Sequence, residues 1–337
     1  MSQAGQSVRI SIAELPLNAR FSGHFCISNA QLGRTRNDKP YLRCLISDAT
    51  GRVPGRMWGA DEAVMKRLGG DGFVFVTGET QPYQGELQLI IQTIEPFEPT
   101  SEQLRDLVPA SVRPVEEMFA ELSALLRSVE HPAAKALVEA YLSDEHLMEQ
   151  FMQAPAAQTM HHAFLGGLLE HTLNLLKGAD GLLPLYPKVN RDLVLLGLFL
   201  HDLGKTRELS WQGSFDYTDR GLLIGHIVEG AIMLHDKAHQ VMREQAMRFP
   251  GYFITTLQHI VLSHHGVPEH GAARYPSTPE AIFVAMLDNF DAKMAIALDA
   301  ARPELSAAQQ ELGGNFTERV WALDNVRLFR PDPLAEG

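Results

Sequence analysis

The chain has 337 residues, 45% of them hydrophobic and 21% charged, with a formal charge of −12, the composition of a globular protein of about two domains. No apolar run approaches the roughly 18–20 residues of a membrane span, the N-terminus lacks the apolar core of a signal peptide, and two cysteines make no disulfide framework. Membrane and disulfide-stapled secreted classes are thereby excluded, and a reducing, cytoplasmic setting is expected for Cys26 and Cys44. The charge is uneven. Residues 1–100 hold ten Lys/Arg and ten Asp/Glu, so the whole acidic excess lies beyond them.

Residues 1–99 read as an all-β unit. Phe21, Gly23, Phe25 and Ile27 alternate with Ser22, His24, Cys26 and Ser28, the period of two of a strand. A basic loop, Gly33–Pro40, leads to Tyr41–Ser47, a turn at Asp48–Gly51, and Arg52–Trp58. A short helix is expected around Asp61–Leu68, then strands beginning Phe73–Thr77 and Glu86–Gln92, joined through Gln84 and Gly85. Five short strands with a helix between the third and fourth match the order of an OB-fold, a small barrel whose face and loops take single-stranded nucleic acid. Between 31 and 56, six basic residues stand against Asp38 and Asp48 alone. Arg34, Arg36, Lys39 and Arg43, with Tyr41, Arg56 and Trp58, are the candidates for phosphate contact and base stacking. Alternation does not say which face is inside, so some of these aromatics are expected in the core.

Pro96, Pro99, Pro109 and Pro114 punctuate Glu95–Pro114, within which a linker is expected at 100–113, and Ser101–Leu107 has room for a helical turn or two. Beyond it Met118, Leu122, Leu125, Leu126 and Val129 recur at helical spacing. Pro114 suits a first helical turn. An all-α domain is expected over 114–302, with a tail, 303–337, packing on it.

That domain is organised around Asp192–Lys205. Leu193–Leu200 is apolar or glycine throughout, and a helix apolar on every side must be buried. Its last turn carries His201 and Asp202 to a place where an unpaired imidazole or carboxylate is costly. Adjacent helical positions diverge by about 100°, so both cannot turn to bulk water, and a cation that takes lone pairs from both is the simplest solution. Gly204 reads as the glycine that ends the helix. Four other settings repeat the pattern: His171 among leucines, His226 near the start of a helix, His264-His265 at the end of one, and Asp288 within one. Five independent hydrogen-bonding solutions would each need their own buried partners. One metal cluster satisfies all five. His24, His131, His146, His235, His239, His259 and His270 read as surface or structural, and Gly166-Gly167 as permitting close helix packing.

In order, His161-His-Ala-Phe-Leu-Gly-Gly-Leu-Leu-Glu-His171, His201-Asp-Leu-Gly-Lys205, Gly225-His-Ile, Ser263-His-His-Gly266 and Asp288-Asn-Phe-Asp291 resemble the HD phosphohydrolases, all-helical enzymes with one or two divalent metals. With the preceding barrel and the ending Phe316–Asn325 and Leu328–Pro331, the chain resembles more narrowly the YhaM-type 3′–5′ exoribonucleases. The resemblance implies an OB-fold barrel followed by an HD-domain helical bundle that hydrolyses single-stranded RNA, and single-stranded DNA as a further substrate, to nucleoside 5′-monophosphates. It implies His171, His201, Asp202 and Asp288 as ligands of one ion. Asp202 would bridge to a second ion held by His226 and His264, with His265 beside them. Asp291 would hold a ligand imidazole in its tautomer, and Lys205 a substrate phosphate oxygen, Asp202 and Lys205 being the catalytic pair. His162 joins the nucleic-acid candidates. A His-rich, carboxylate-bridged set favours Mn²⁺ (or Fe, Co, Zn) over Mg²⁺.

Two other readings compete. One is a phosphohydrolase of a small nucleotide or cyclic dinucleotide, with the barrel as a regulatory module. The cyclic-di-GMP enzymes of the superfamily carry a Glu after the paired histidines, then Asp-Gly and Gly-Tyr-Pro, where this chain has Gly266, His270-Gly271 and Arg274-Tyr-Pro276. The other is a non-catalytic nucleic-acid-binding factor, against which the intact ligand set argues.

Overall fold

The computed structural model describes residues 10–35, 37–69, 72–83, 85–100, 103, 106–108, 110–111, 113–157, 164–211, 216–302, 314–331 and 334. Arg36, Gln84, His161 and His162 lie outside them, as does most of the turn expected within 101–107.

Five strands close a barrel in the order β1-β2-β3-β5-β4: β1 (Arg20–Arg34), β2 (Pro40–Asp48), β3 (Gly51–Trp58), β4 (Gly72–Tyr83) and β5 (Glu86–Pro96). Helix α1 (Glu62–Leu68) lies between the third and fourth strands, started by Asp61, which accepts from the Ala63 and Val64 N–H groups, and ended by Gly69 in the left-handed region. The period of two becomes inside and outside. Phe25, Ile27, Leu42, Ile46, Val53, Val76 and Leu89 fill the barrel. Side chains alternate along a strand, so Tyr41 and Arg43, flanking Leu42, turn outward. Register then sets Tyr41 opposite Trp58, and Arg43 between Gln31 and Arg56. Tyr41, Arg43, Arg56 and Trp58 thus share the outer face of two neighbouring strands.

Contacts divide the chain into two units, 1–109 with 298–337, and 110–297. The second is helical: α2 (Val115–Arg127), α3 (Pro132–Leu142), α4 (Glu145–Gln153), α5 (Gly167–Leu182), α6 (Arg191–Leu200), α7 (Lys205–Glu208), α8 (Asp219–Ile224), α9 (His226–Glu244), α10 (Phe253–Ser263) and α11 (Pro279–Ala301). A two-residue pairing, β6 (Leu209–Ser210) with β7 (Asp216–Tyr217), precedes α8. Helix α6 is the buried one the sequence demands. Val194–Leu200 are all buried, against Leu257, Ile260 and Val261 of α10 and Ala281 and Val284 of α11. Among the described residues no helix is long and apolar enough to cross a membrane.

The expectation that the tail packs on the helical domain is overturned, because residues 314–331 group with the barrel. They form a small hairpin. The Thr317 N–H donates to Leu328 O at 2.9 Å and Val320 N–H to Val326 O at 2.9 Å, around a turn with Asp324 and Asn325 at φ +55 and +59. Phe316 and Phe329 pair with each other across it, ring centroids 5.4 Å apart. Phe316 and Phe329 are thereby each about half covered, while Trp321 stays 72% exposed.

Candidate metal centre

His201 directly follows α6, and His264 directly follows α10. Each turns its Nδ1 back onto a carbonyl three residues earlier, Leu198 O at 2.7 Å and Val261 O at 2.6 Å. The last four carbonyls of a helix have no partner within it, so this local device satisfies the carbonyl and fixes the ring together. A carbonyl only accepts, hence Nδ1 carries the proton and Nε2 of the neutral ring keeps a lone pair. His265 does the same with His270 O at 2.8 Å. The remaining two imidazoles use carboxylates: His171 Nδ1 lies 2.8 Å from Asp291 and His226 Nδ1 3.0 Å from Glu208.

These groups converge on Asp202, which is 3% exposed. Its Oδ2 lies 3.4 Å from His201 Nε2 and 3.9 Å from His171 Nε2. Its Oδ1 lies 3.4 Å from His226 Nε2 and 3.6 Å from His264 Nε2. Asp288 joins the first set, its Oδ1 3.2 Å from His171 Nε2 and 3.7 Å from His201 Nε2. His265 has a donor atom within 4.8 Å of those of Asp202, His226 and His264. One carboxylate therefore serves two groups of imidazoles, one oxygen to each.

The donor set fits divalent cations. Asp202 Oδ1, His226 Nε2 and His264 Nε2 are buried without a hydrogen-bond partner, and each such atom left unmet costs about 1–3 kcal/mol. A cation meets all three at once, and the C-terminal ends of α6 and α10 add their negative dipole ends.

Electrostatics make the same demand. Burial acts to raise the Asp202 carboxyl, but the Lys205 ammonium and the His201 and His264 rings hold it well below the ordinary carboxylate range. Burial likewise opposes the Asp288 charge, and His171 and His201 outweigh it. Burial works to keep His201 neutral, yet Asp202 and Asp288 carry its pKa up to about 10. The buried Asp202 and the largely covered Asp288 require positive charge between the rings, supplied by a proton or by a metal ion that displaces it. His264 and His265 are pushed down by burial and stay neutral, with lone pairs ready.

Two glycines make the convergence possible. Gly204 has ordinary right-handed backbone and caps the start of α7, so it is not the residue that ends α6, which stops at Leu200. Its role is close approach: a Cβ there would stand 2.1 Å from His226 O and 2.8 Å from Gly230 N. Gly225, at φ +75, turns the chain into α9 so that His226 is its first residue. Glu208 meets that helix start, accepting from the His226 N–H at 2.9 Å as well as from its ring. Gly166, expected to allow close helix packing, instead has φ +80 at the start of α5, with nothing nearer than 3.5 Å to an added Cβ.

All seven residues expected at a metal are thus brought to one place, with Asp291 against His171 and Lys205 Nζ 2.6 Å from Asp202 Oδ2. Glu208 was missed. On the barrel, Arg56 stands 5.9 Å from the Tyr41 and Trp58 ring centroids and 5.1 Å from that of Tyr83, a residue sequence reasoning also missed. Arg43 is bonded to Gln31, and Arg34 to Asp38 at 2.8 Å. The Arg34 pair is exposed, worth at most about 1 kcal/mol, and readily exchanged for a phosphate.

Imidazoles and carboxylates set at helix ends and within helices around a shared aspartate are the mark of an HD domain, and residues 168–293 match the HD domain model. The chain belongs to the family of the YhaM 3′–5′ exoribonucleases. It is 32% identical to "3′–5′ exoribonuclease YhaM" of Oceanobacillus iheyensis over 325 residues, 95% of this chain and 97% of that one. It is 33% identical to the protein of the same name from Shouchella clausii, over 92% of each chain, and 31% identical to that of Bacillus subtilis, over 91% of this chain and 94% of that one.

Proposed function

We propose that the protein is a metal-dependent 3′–5′ exoribonuclease that shortens single-stranded RNA to nucleoside 5′-monophosphates. The observation that carries this reading is Asp202, whose two oxygens divide between His171 and His201 on one side and His226 and His264 on the other. His171, His201, Asp202 and Asp288 would hold one divalent ion, and Asp202, His226 and His264 a second, with His265 adjoining. Such a set favours Mn, Fe, Co or Zn over Mg, and Mn²⁺ is the ion proposed. Divalent ions held there would supply a water of lowered pKa and draw charge from the phosphoryl oxygens.

The chain's own residues do the rest. Asp291 and Glu208 keep two rings in the tautomer that faces the ions. Lys205 keeps its proton, because the Asp202 carboxylate outweighs burial, and takes a phosphate oxygen as negative charge builds. The barrel holds the strand. Trp58 is half-exposed beside Tyr41, ring centroids 5.4 Å apart, and bases stack on such rings, with Arg43, Arg56 and Lys39 meeting phosphates. Relatives named exoribonuclease over nearly their whole length support the same reading.

End-labelled single-stranded RNA incubated with Mn²⁺ or with EDTA, beside a cyclic dinucleotide, tests it. Stepwise shortening only with metal is the expected result, with single-stranded DNA as the comparison substrate. Turnover of the dinucleotide alone would replace the reading, and binding without turnover would reduce the protein to a carrier.

A further inference from the structure

The tail hairpin and the barrel share a cavity of about 620 Å³ that contains none of the metal-centre residues. Arg56, Tyr83 and Gln88 line it from the barrel, and Phe316, Glu318 and Arg330 from the tail. The hairpin is held together by its own hydrogen bonds. Thr317 is buried and takes the Leu328 N–H on its hydroxyl at 2.9 Å, Arg327 Nε donates to Thr317 O at 2.8 Å, and the Arg330 N–H donates to Asn315 O at 3.0 Å.

Three features of this cavity ask for a ligand. Arg330 Nε is buried with no hydrogen-bond partner, although a guanidinium is always charged and carries five donors. Arg56 stands over the Tyr83 ring, and neither arginine makes an ion pair among the described residues. Tyr83 and Phe316 leave 43% and 49% of their surface exposed. Guanidinium groups recognise phosphate oxygens in paired geometry, and exposed rings stack with any base because every base has a π-face. A planar heterocycle carrying a phosphate satisfies both demands.

We infer that this cavity holds one nucleotide of the bound single strand, so that the tail is the second wall of the strand-binding surface. The inference rests on the reading of the barrel as the strand-holding unit. Arg56 belongs both to this cavity and to the Tyr41–Trp58 cluster, so a strand stacked on that face continues into the cavity past one shared cation. Arg330 meets the phosphate, Tyr83 and Phe316 flank the base, and the Gln88 amide offers a donor and an acceptor to its edge. Two carboxylates of the lining, Glu318 and Glu86, carry the sign that opposes phosphate, and they hold the affinity down.

The test is fluorescence anisotropy of a short labelled single-stranded RNA bound to the metal-loaded full chain. The RNA is phosphorothioate-linked at its 3′ end so that it is held without being shortened, and titrations run across a salt series. Arg330→Gln is expected to weaken binding about fivefold or more, with a salt slope shallower by about one, and Arg330→Lys to recover part of the loss. Glu318→Gln, an exposed change that the hairpin tolerates, is expected to tighten binding about twofold as one like charge is removed, which a merely structural role would not do. Trp58→Ala reports on the barrel independently. Unchanged affinity and slope in both Arg330→Gln and Glu318→Gln, with Trp58→Ala weakened, overturns the inference and leaves the barrel reading standing. No effect of Trp58→Ala either brings down both. Should Arg330→Gln unfold the hairpin, Glu318→Gln decides alone, and failure to tighten overturns the inference. Uridine monophosphate is the competitor: Arg330-dependent binding of it tighter than that of the RNA makes the occupant a free nucleotide and overturns the strand assignment.

Discussion

The two units expose their chemistry in opposite ways. In the helical unit His171, His201, Asp202 and His264 are each at most 3% exposed, and every ring is fixed by an acceptor on its far nitrogen. On the barrel Trp58 and Tyr83 stand nearly half exposed around a single arginine. A buried cluster of this kind is all or nothing, because each member left unpaired in low dielectric costs heavily. A half-exposed face loses in steps, since water replaces whatever is removed. The contrast predicts large, metal-linked effects in one unit and graded, salt-linked effects in the other.

The largest test is Asp202→Ala. Hydrolysis of labelled RNA is expected to fall by about three orders of magnitude or more, while strand affinity, read by anisotropy, stays within about twofold if binding belongs to the barrel. Equal loss of both would erase the division between the units. Chelation should follow the same line: activity disappears with EDTA and returns with Mn²⁺. At an ion concentration 100-fold above Kd the loaded protein gains about 2.7 kcal/mol, visible in calorimetry as a melting point several degrees higher.

Proton linkage sharpens the contrast. In the metal-free protein the His201 pKa stands at about 10 rather than the ordinary 6.5. Its stabilising contribution is therefore full below about pH 6.5 and is lost as pH rises through about 10. Metal competes for the same position, so ion affinity moves the other way, rising about tenfold per pH unit where one proton is displaced. Titration calorimetry in buffers of different ionisation enthalpy should show proton release on Mn²⁺ binding, and a pH-independent affinity would refute the competition. Next in size, Glu208→Gln is expected to weaken ion binding about 10–100-fold without touching strand affinity. The smallest effect belongs to Trp58→Ala, about fivefold to tenfold in strand affinity, the low end for one stacked base.

Much of this was legible in the chain because burial and periodicity are sequence properties. Phe21, Phe25 and Ile27 announced β1, and the apolar run before His201 announced α6 and its buried end. Asp291, three residues beyond Asp288, is one helical turn away and was within reach of the same reasoning. Glu208 was not, because nothing local marks it. It becomes important only when Gly204 lets the start of α9 come against the chain just past α6, a contact between segments 18 residues apart. Tyr83 sits at the end of β4 and meets Arg56 only through barrel closure. The tail, expected on the helical domain, groups with the barrel instead, and its Phe316 and Phe329 pair with each other.

The way the rings are held divides them by vulnerability. His201, His264 and His265 lean on main-chain oxygens, which no codon change deletes. His171 and His226 lean on the side chains of Asp291 and Glu208, either of which one missense substitution removes. Inherited variation therefore reaches the aim of these rings first at two residues that stand behind them, Asp291 at His171 and Glu208 at His226. A gene drifting toward inactivity would show its damage there while its His-Asp pair still read as intact.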